Sequence, residues 1–339
     1  MNFDPARFQK AKLKASPTLK YNNLHSGSKS LCYTDNKQVH VVPHDYVAQT
    51  SQGALSSHAV SAGNNQVYQS KFVVTNDKTY LVLATASGVQ IWDALGNNIL
   101  FNFAIPGGSQ DGSSGRPTFA RGVAALLTGD NEQLIAVGSS SGSVFLLEGS
   151  GFKFRHVHTL TDQSNPITDL ASDFDGRQTD QSTATRRLVS ADEAGRVCVW
   201  DAQSVKGMAH LGVLEGKDGS PCVAVRVRDD RLVCAFDSGL LRFFSLETMH
   251  LWMEVNAHTR FACAMALHPS RDFIVSAAED STLNVFTLPQ IGEKVEQVLT
   301  LSWPDAMITG VAFCGSSDAN VAAVAYDVEE IRMWIGSME

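Results

Sequence analysis

His258, Ser276 and Asp280 bring the three side chains of a hydrolase relay into one short stretch. In such a relay the histidine takes the serine proton and the acid holds the imidazole. The serine must also stand exposed beside an oxyanion hole. The surrounding stretch, Asn256 to Leu288, does not offer that setting. It reads as three strands, Phe261 to Leu267, Phe273 to Ala277 and Thr282 to Leu288, separated by turns at 268–272 and at Glu279-Asp280-Ser281. Ser276 falls inside the middle strand and Asp280 in the tight turn after it. A serine inside a strand is not exposed beside an oxyanion hole, so a catalytic triad is not expected here.

Other chemistry-bearing patterns fail on context. Gly138-Ser139-Ser140-Ser141-Gly142 has the spacing of a nucleophile elbow, which requires a strand, a turn and a helix; here strand-like runs flank it on both sides. Gly107, Gly108, Gly112 and Gly115 lie in the connection Pro106 to Thr118. No Gly-Lys-Ser/Thr follows them, so a linking loop is expected and a phosphate loop is not. Asp173, Asp175 and Asp180, with Gly176, fall in the insertion Ser172 to Arg187 but miss the calcium-loop spacing. His156 and His158, like His40 and His44, form pairs without a third zinc ligand. No catalytic residue, cofactor site or metal site is expected.

The elements that hold these residues repeat. Third strands open at Gln38, Val89, Ser143, Arg196, Leu240, Thr282 and Glu330, at intervals of 51, 54, 53, 44, 42 and 48 residues. Short strands with turn signals at this period describe blades of a β-propeller. Seven units result. The first has strands at Leu24-His25, Ser30 to Tyr33 and Gln38 to Val42, and the second starts near Val60. The seventh, Ile308 to Ile335, lacks an outer strand of its own. An open sheet edge is a liability that ring closure removes. Part of residues 5–18 is therefore expected to supply the missing strand, giving a basic arm or ring-closing strand at 1–20 and a propeller over 21–336.

Bulk properties narrow the partners. The 339 residues carry a net charge of −8, with +4 in residues 1–20 and −12 in the remainder. An acidic body argues against nucleic-acid binding, which needs a basic face. No apolar run approaches the length of a membrane span. Cys32, Cys198, Cys222, Cys234, Cys263 and Cys314 include no CxxC pair, and most fall in strands. They read as buried free thiols in a reducing, cytoplasmic compartment.

Trp92-Asp93 and Trp200-Asp201 close third strands with the dipeptide of WD-repeat proteins. The runs at 117–126, 165–172, 187–201, 255–265, 274–286 and 323–334 together resemble the WD repeat-containing protein 54 family over about residues 25–335. The resemblance implies an all-β, seven-bladed propeller acting as a scaffold or adaptor, without enzymatic chemistry. It also implies that His258, Ser276 and Asp280 form the structural network of a blade. Phe286 stands where that network normally ends in tryptophan.

The remaining functional expectation is a surface. The turns between second and third strands are acidic in blades four to seven, at Asp192, Glu193, Asp237, Glu279, Asp327, Glu329 and Glu330. In a propeller these turns share one face; either aspartate is there simply as a good turn former, or the acids form a rim that would select a basic protein segment. Arg260 lies in an adjoining loop. The alternatives are a subunit of a large ciliary or vesicle-trafficking assembly, and a channel-site enzyme or small-ligand receptor. The apolar character of inner strands such as Phe261 to Leu267 and Ile308 to Cys314 weighs against the channel.

Overall fold

The computed structural model describes residues 2–45, 58–107, 117–150, 153–174, 186–215, 219–315 and 320–337. Gly108, Gly112, Gly115, Asp175, Gly176 and Asp180 lie outside them. The described residues form seven four-stranded sheets, each strand antiparallel to its neighbours. They are the blades of an all-β propeller, numbered 1 to 7 along the chain.

The innermost strands are His25–Ser26, Val67–Thr75, Ala120–Leu127, Ile167–Ser172, Cys222–Arg228, Ala262–Leu267 and Ile308–Cys314. The two middle strands of each blade are covered on both faces by neighbouring blades. Their sequences accordingly run apolar without alternation, as in Leu188 to Ala191 and Val321 to Ala325, all of whose apolar side chains are buried. Outer strands such as Ile99–Ala104 and Ala209–Glu215 mix exposed and partly buried positions. Between blades 6 and 7, Leu283, Val285, Trp303, Ile308, Phe313, Val321 and Trp334 pack into one cluster. Each such side chain contributes about 1.5–3 kcal/mol by leaving water.

The chain's first strand closes the ring. Asn2–Lys12 is the fourth strand of blade 7 and pairs antiparallel with Glu330–Ser337, setting Phe8 opposite Trp334 and Lys12 opposite Glu330. Arg332 is held between two rings across this seam, 4.7 Å from Phe8 and 4.4 Å from Trp303. Lys10 reaches Glu330 at 3.5 Å and Lys12 reaches Glu329 at 3.6 Å. The basic arm thus spends charge on the chain's own acids.

Two boundaries differ from the sequence reading. Val60 belongs to blade 1, whose outer strand is His58–Ser61, paired with Gln38 to Val41. Blade 4 has an outer strand, Ala209–Glu215, that the sequence reading left unassigned. Both are outer strands with exposed residues, so they lack the apolar run that marks a buried strand.

Candidate interaction face and central channel

In blade 6, His258 Nδ1 lies 3.2 Å from Asp280 and its Nε2 lies 2.8 Å from Ser276 Oγ. Asp280 accepts from the backbone of Thr259 and Thr282 and from the Thr282 hydroxyl. Burial pushes its carboxyl up, but the hydrogen bonds from His258 and Thr282 outweigh this and hold it well below the usual carboxylate range. Ser276 is 0% exposed and cannot meet a substrate. Phe286, also buried, offers no N–H to extend the network.

Blade 4 has the more complete version. Trp200 Nε1 donates to Ser190 Oγ at 3.1 Å, Ser190 donates to Gln163, and Gln163 Nε2 reaches Asp192 at 3.4 Å. Gln163 fills the role that His258 has in blade 6. Asp192 also accepts from the backbone of Ala194 and Arg196 at 3.0 and 2.9 Å. A search for histidine passes over this network. The readable signal is the serine ten residues before the tryptophan, matching Ser276 before Phe286. Blade 7 has Ala323 opposite Arg332 where blade 4 has Ser190 opposite Cys198, and Trp334 Nε1 meets no acceptor among the described residues.

The other dipeptide residues brace turns. Asp93 accepts from the backbone of Leu95, Asn97 and Asn98, and Trp92 donates to Gln90. Asp201 accepts from Gln203 at 2.9 Å.

The structure redraws the acidic rim. Asp192 is 0% exposed and belongs to the bracing of blade 4, so it is not a surface residue. Glu193, beside it, is half-exposed and pairs with Arg121 at 3.3 Å. Asp237 is partly buried, and burial raises its carboxyl. Glu279 is partly buried, while Asp327 and Arg260 are exposed. Glu329 and Glu330 are engaged by the ring-closing strand, the latter also by Arg332. Two aromatic residues that the sequence reading did not single out for this face lie among these acids. Phe261 is 50% exposed and its carbonyl accepts from the Glu279 backbone; Tyr326, next to Asp327, is 43% exposed.

The central channel also differs from expectation. Its walls are not only apolar and small. Asp169 in blade 4 is buried and bonds Arg226 of blade 5 at 2.6 Å, the Val225 backbone at 3.2 Å, and Gln69 of blade 2 at 3.5 Å. The inner strands of blades 2, 4 and 5 carry these polar residues, whereas those of blades 6 and 7 do not. The segment after the ring-closing strand threads into the channel. Asn22 donates to Val223 and accepts from Met265, and the Asn23 backbone donates to Thr309. Gly310 permits this approach, since a Cβ there would lie 2.5 Å from Leu24 N.

A family profile described as WDR54 matches residues 20–337. WD repeat-containing protein 54 of Homo sapiens is 29% identical over 261 residues, 75% of this chain and 74% of that protein. The Mus musculus protein of the same name is 28% identical over 260 residues, with the same shares covered. Among solved structures, a chain from the crystal structure of the Mitotic Checkpoint Complex superposes with a TM-score of 0.75 at 16% identity, covering 98% of this chain and 93% of the other. At that identity the likeness is one of fold.

Proposed function

The chain belongs to the WDR54 family of WD-repeat propellers, and from that premise we propose that it is a non-enzymatic adaptor that seats a basic, apolar-anchored segment of a partner protein on the upper face of blades 5 to 7, the face that carries the turns between second and third strands. WD-repeat propellers generally bind other proteins. The observation that carries the proposal is the exposure of Phe261 and Tyr326 beside Glu279 and Asp327. Aromatic anchors dominate binding energy at protein interfaces, and charges around them set partner choice and encounter rate. Asp237 and Glu193 extend the acidic surface across blades 5 and 4. The six cysteines are free and buried, which supports a cytoplasmic setting.

The test is a peptide array of Lys/Arg-rich segments with and without a Leu or Phe anchor, probed with the wild-type chain and with Phe261→Ala/Tyr326→Ala and Glu279→Lys/Asp327→Lys. Binding that needs both the basic residues and the anchor, and that each double variant abolishes, supports the proposal. Equal binding by all three proteins overturns it.

A further inference from the structure

The inner strands of blades 4, 6 and 7 start beside the acidic turns, as the pairs Ile167 with Asp192, Ala262 with Ala278 and Ile308 with Ala325 show. Their other ends surround a cavity of about 230 Å³ at the opposite mouth of the channel. Its lining includes Lys71, Arg226, Arg228 and His268, and Asp173 is the one acid among the described lining residues. Asp173 has an interaction of its own within the fold, while its buried Oδ1 accepts no hydrogen bond among the described residues.

The donors here outnumber the acceptors they meet. Lys71 donates to the carbonyl of Val123 at 2.9 Å, which uses one of its three N–H groups. Burial, then the neighbouring Arg226, lowers Lys71 to about 8, so it is still mostly cationic at neutral pH. His268 is 0% exposed, and its Nδ1 accepts from the backbone of Ser270 and Arg271 at 3.2 and 3.0 Å. Burial, with Arg228 and Arg271 nearby, lowers its pKa to about 4, so the ring is neutral and Nε2 carries the proton. That Nε2–H meets no acceptor among the described residues. Asp169, just above, is spent on Arg226 and on backbone N–H groups. On the upper side, Arg226 Nη2 reaches Asn22 at 3.3 Å, tying the cavity's wall to the threaded segment.

We propose that this lower cavity binds a small oxyanion, a phosphate or a carboxylate, through the Lys71 ammonium, in the positive field of Arg226 and Arg228 and beside the His268 ring that lines the cavity. Its volume falls below the roughly 300–1,000 Å³ of pockets for drug-sized ligands, which selects a compact anion over a nucleotide. The site lies at the end of the channel opposite the proposed protein-binding face and does not depend on it.

Isothermal titration with inorganic phosphate, acetate and chloride at constant ionic strength tests the proposal. Saturable binding of phosphate or acetate to the wild-type chain is expected, and the two arms identify which oxyanion is preferred. Lys71→Met should weaken it by about tenfold or more, as loss of a charge-assisted hydrogen bond does, while Lys37→Met, at an exposed turn residue of blade 1 outside both sites, should bind as the wild type does. In the wild-type chain, the His268 ring resonance, assigned with His268→Gln, should shift along the same isotherm; this readout is independent of how Lys71→Met folds. Absence of saturable oxyanion binding, a Lys71→Met isotherm matching the wild type, an unmoved His268 resonance, or an equal response to chloride would each overturn the proposal.

Discussion

The side-chain amide of Asn22 donates to the carbonyl of Val223 at 2.9 Å, joining positions 201 residues apart. The same side chain accepts from Met265 N and Arg226 Nη2. One asparagine therefore ties the segment after the ring-closing strand to blades 5 and 6. Its φ of 53° lies in the left-handed region, which asparagine tolerates better than most residues. Asn22→Ala is expected to lower the unfolding free energy by about 2–4 kcal/mol, combining unsatisfied buried partners with a left-handed alanine. Urea unfolding measures this; a loss under about 1 kcal/mol, the size of an ordinary substitution, would mean that the segment is not a structural tie.

Asp192 and Glu193 are neighbours in sequence with opposite roles. Asp192→Ala strips acceptors from Ala194, Arg196 and Gln163 inside blade 4, and is expected to cost about 2–4 kcal/mol. Glu193→Ala removes a half-exposed ion pair and should stay within about 1 kcal/mol. Paired urea midpoints check the contrast, and equal effects would place Asp192 back on the rim.

His268 gives stability a pH dependence of definite sign. Its folded pKa of about 4 lies below the ordinary 6.5, so the unfolded chain binds the extra proton between those values. The contribution is complete above pH 6.5 and is lost as pH falls toward 4. Asp280, also depressed, adds a further loss below the ordinary carboxylate pKa of about 3.9. Unfolding midpoints followed from pH 7 to 4 should fall more steeply for the wild type than for His268→Gln. Parallel curves would remove His268 as the cause.

The seam of the ring should be its weak point. Removing residues 1–12 leaves the edge of Glu330–Ser337 unpaired, with Trp334 uncovered by Phe8. Light scattering should then show self-association, because an open apolar edge pairs with another chain. Arg332→Ala, which keeps the strand but loses both ring contacts, should cost about 1–2 kcal/mol at roughly 0.5–1 kcal/mol for each contact. A truncated chain that stays monomeric with an unchanged melting temperature would show that closure is dispensable.

Much of the architecture is legible in the sequence because a propeller repeats a local unit. The spacing of the third strands, the turn at Glu279-Asp280-Ser281 and the His258–Ser276–Asp280 bracing all depend on residues close together in the chain. Blade 7 shows three strands in its own repeat, and an uncovered sheet edge called for a fourth from elsewhere, which Asn2–Lys12 supplies. Outer strands such as His58–Ser61 and Ala209–Glu215 were harder to place, since partial exposure leaves no apolar run.

What the sequence alone determined is the blade and its count, because strands, turns and their buried faces are written within each repeat. Only the tertiary structure decided which polar residues face water. It drew Asp192 inward to Gln163, left Phe261 and Tyr326 exposed among acids, and gathered Asp169, Arg226, Lys71 and Asn22 in the channel. Those outcomes depend on how seven blades meet around one axis, where residues from distant repeats become neighbours.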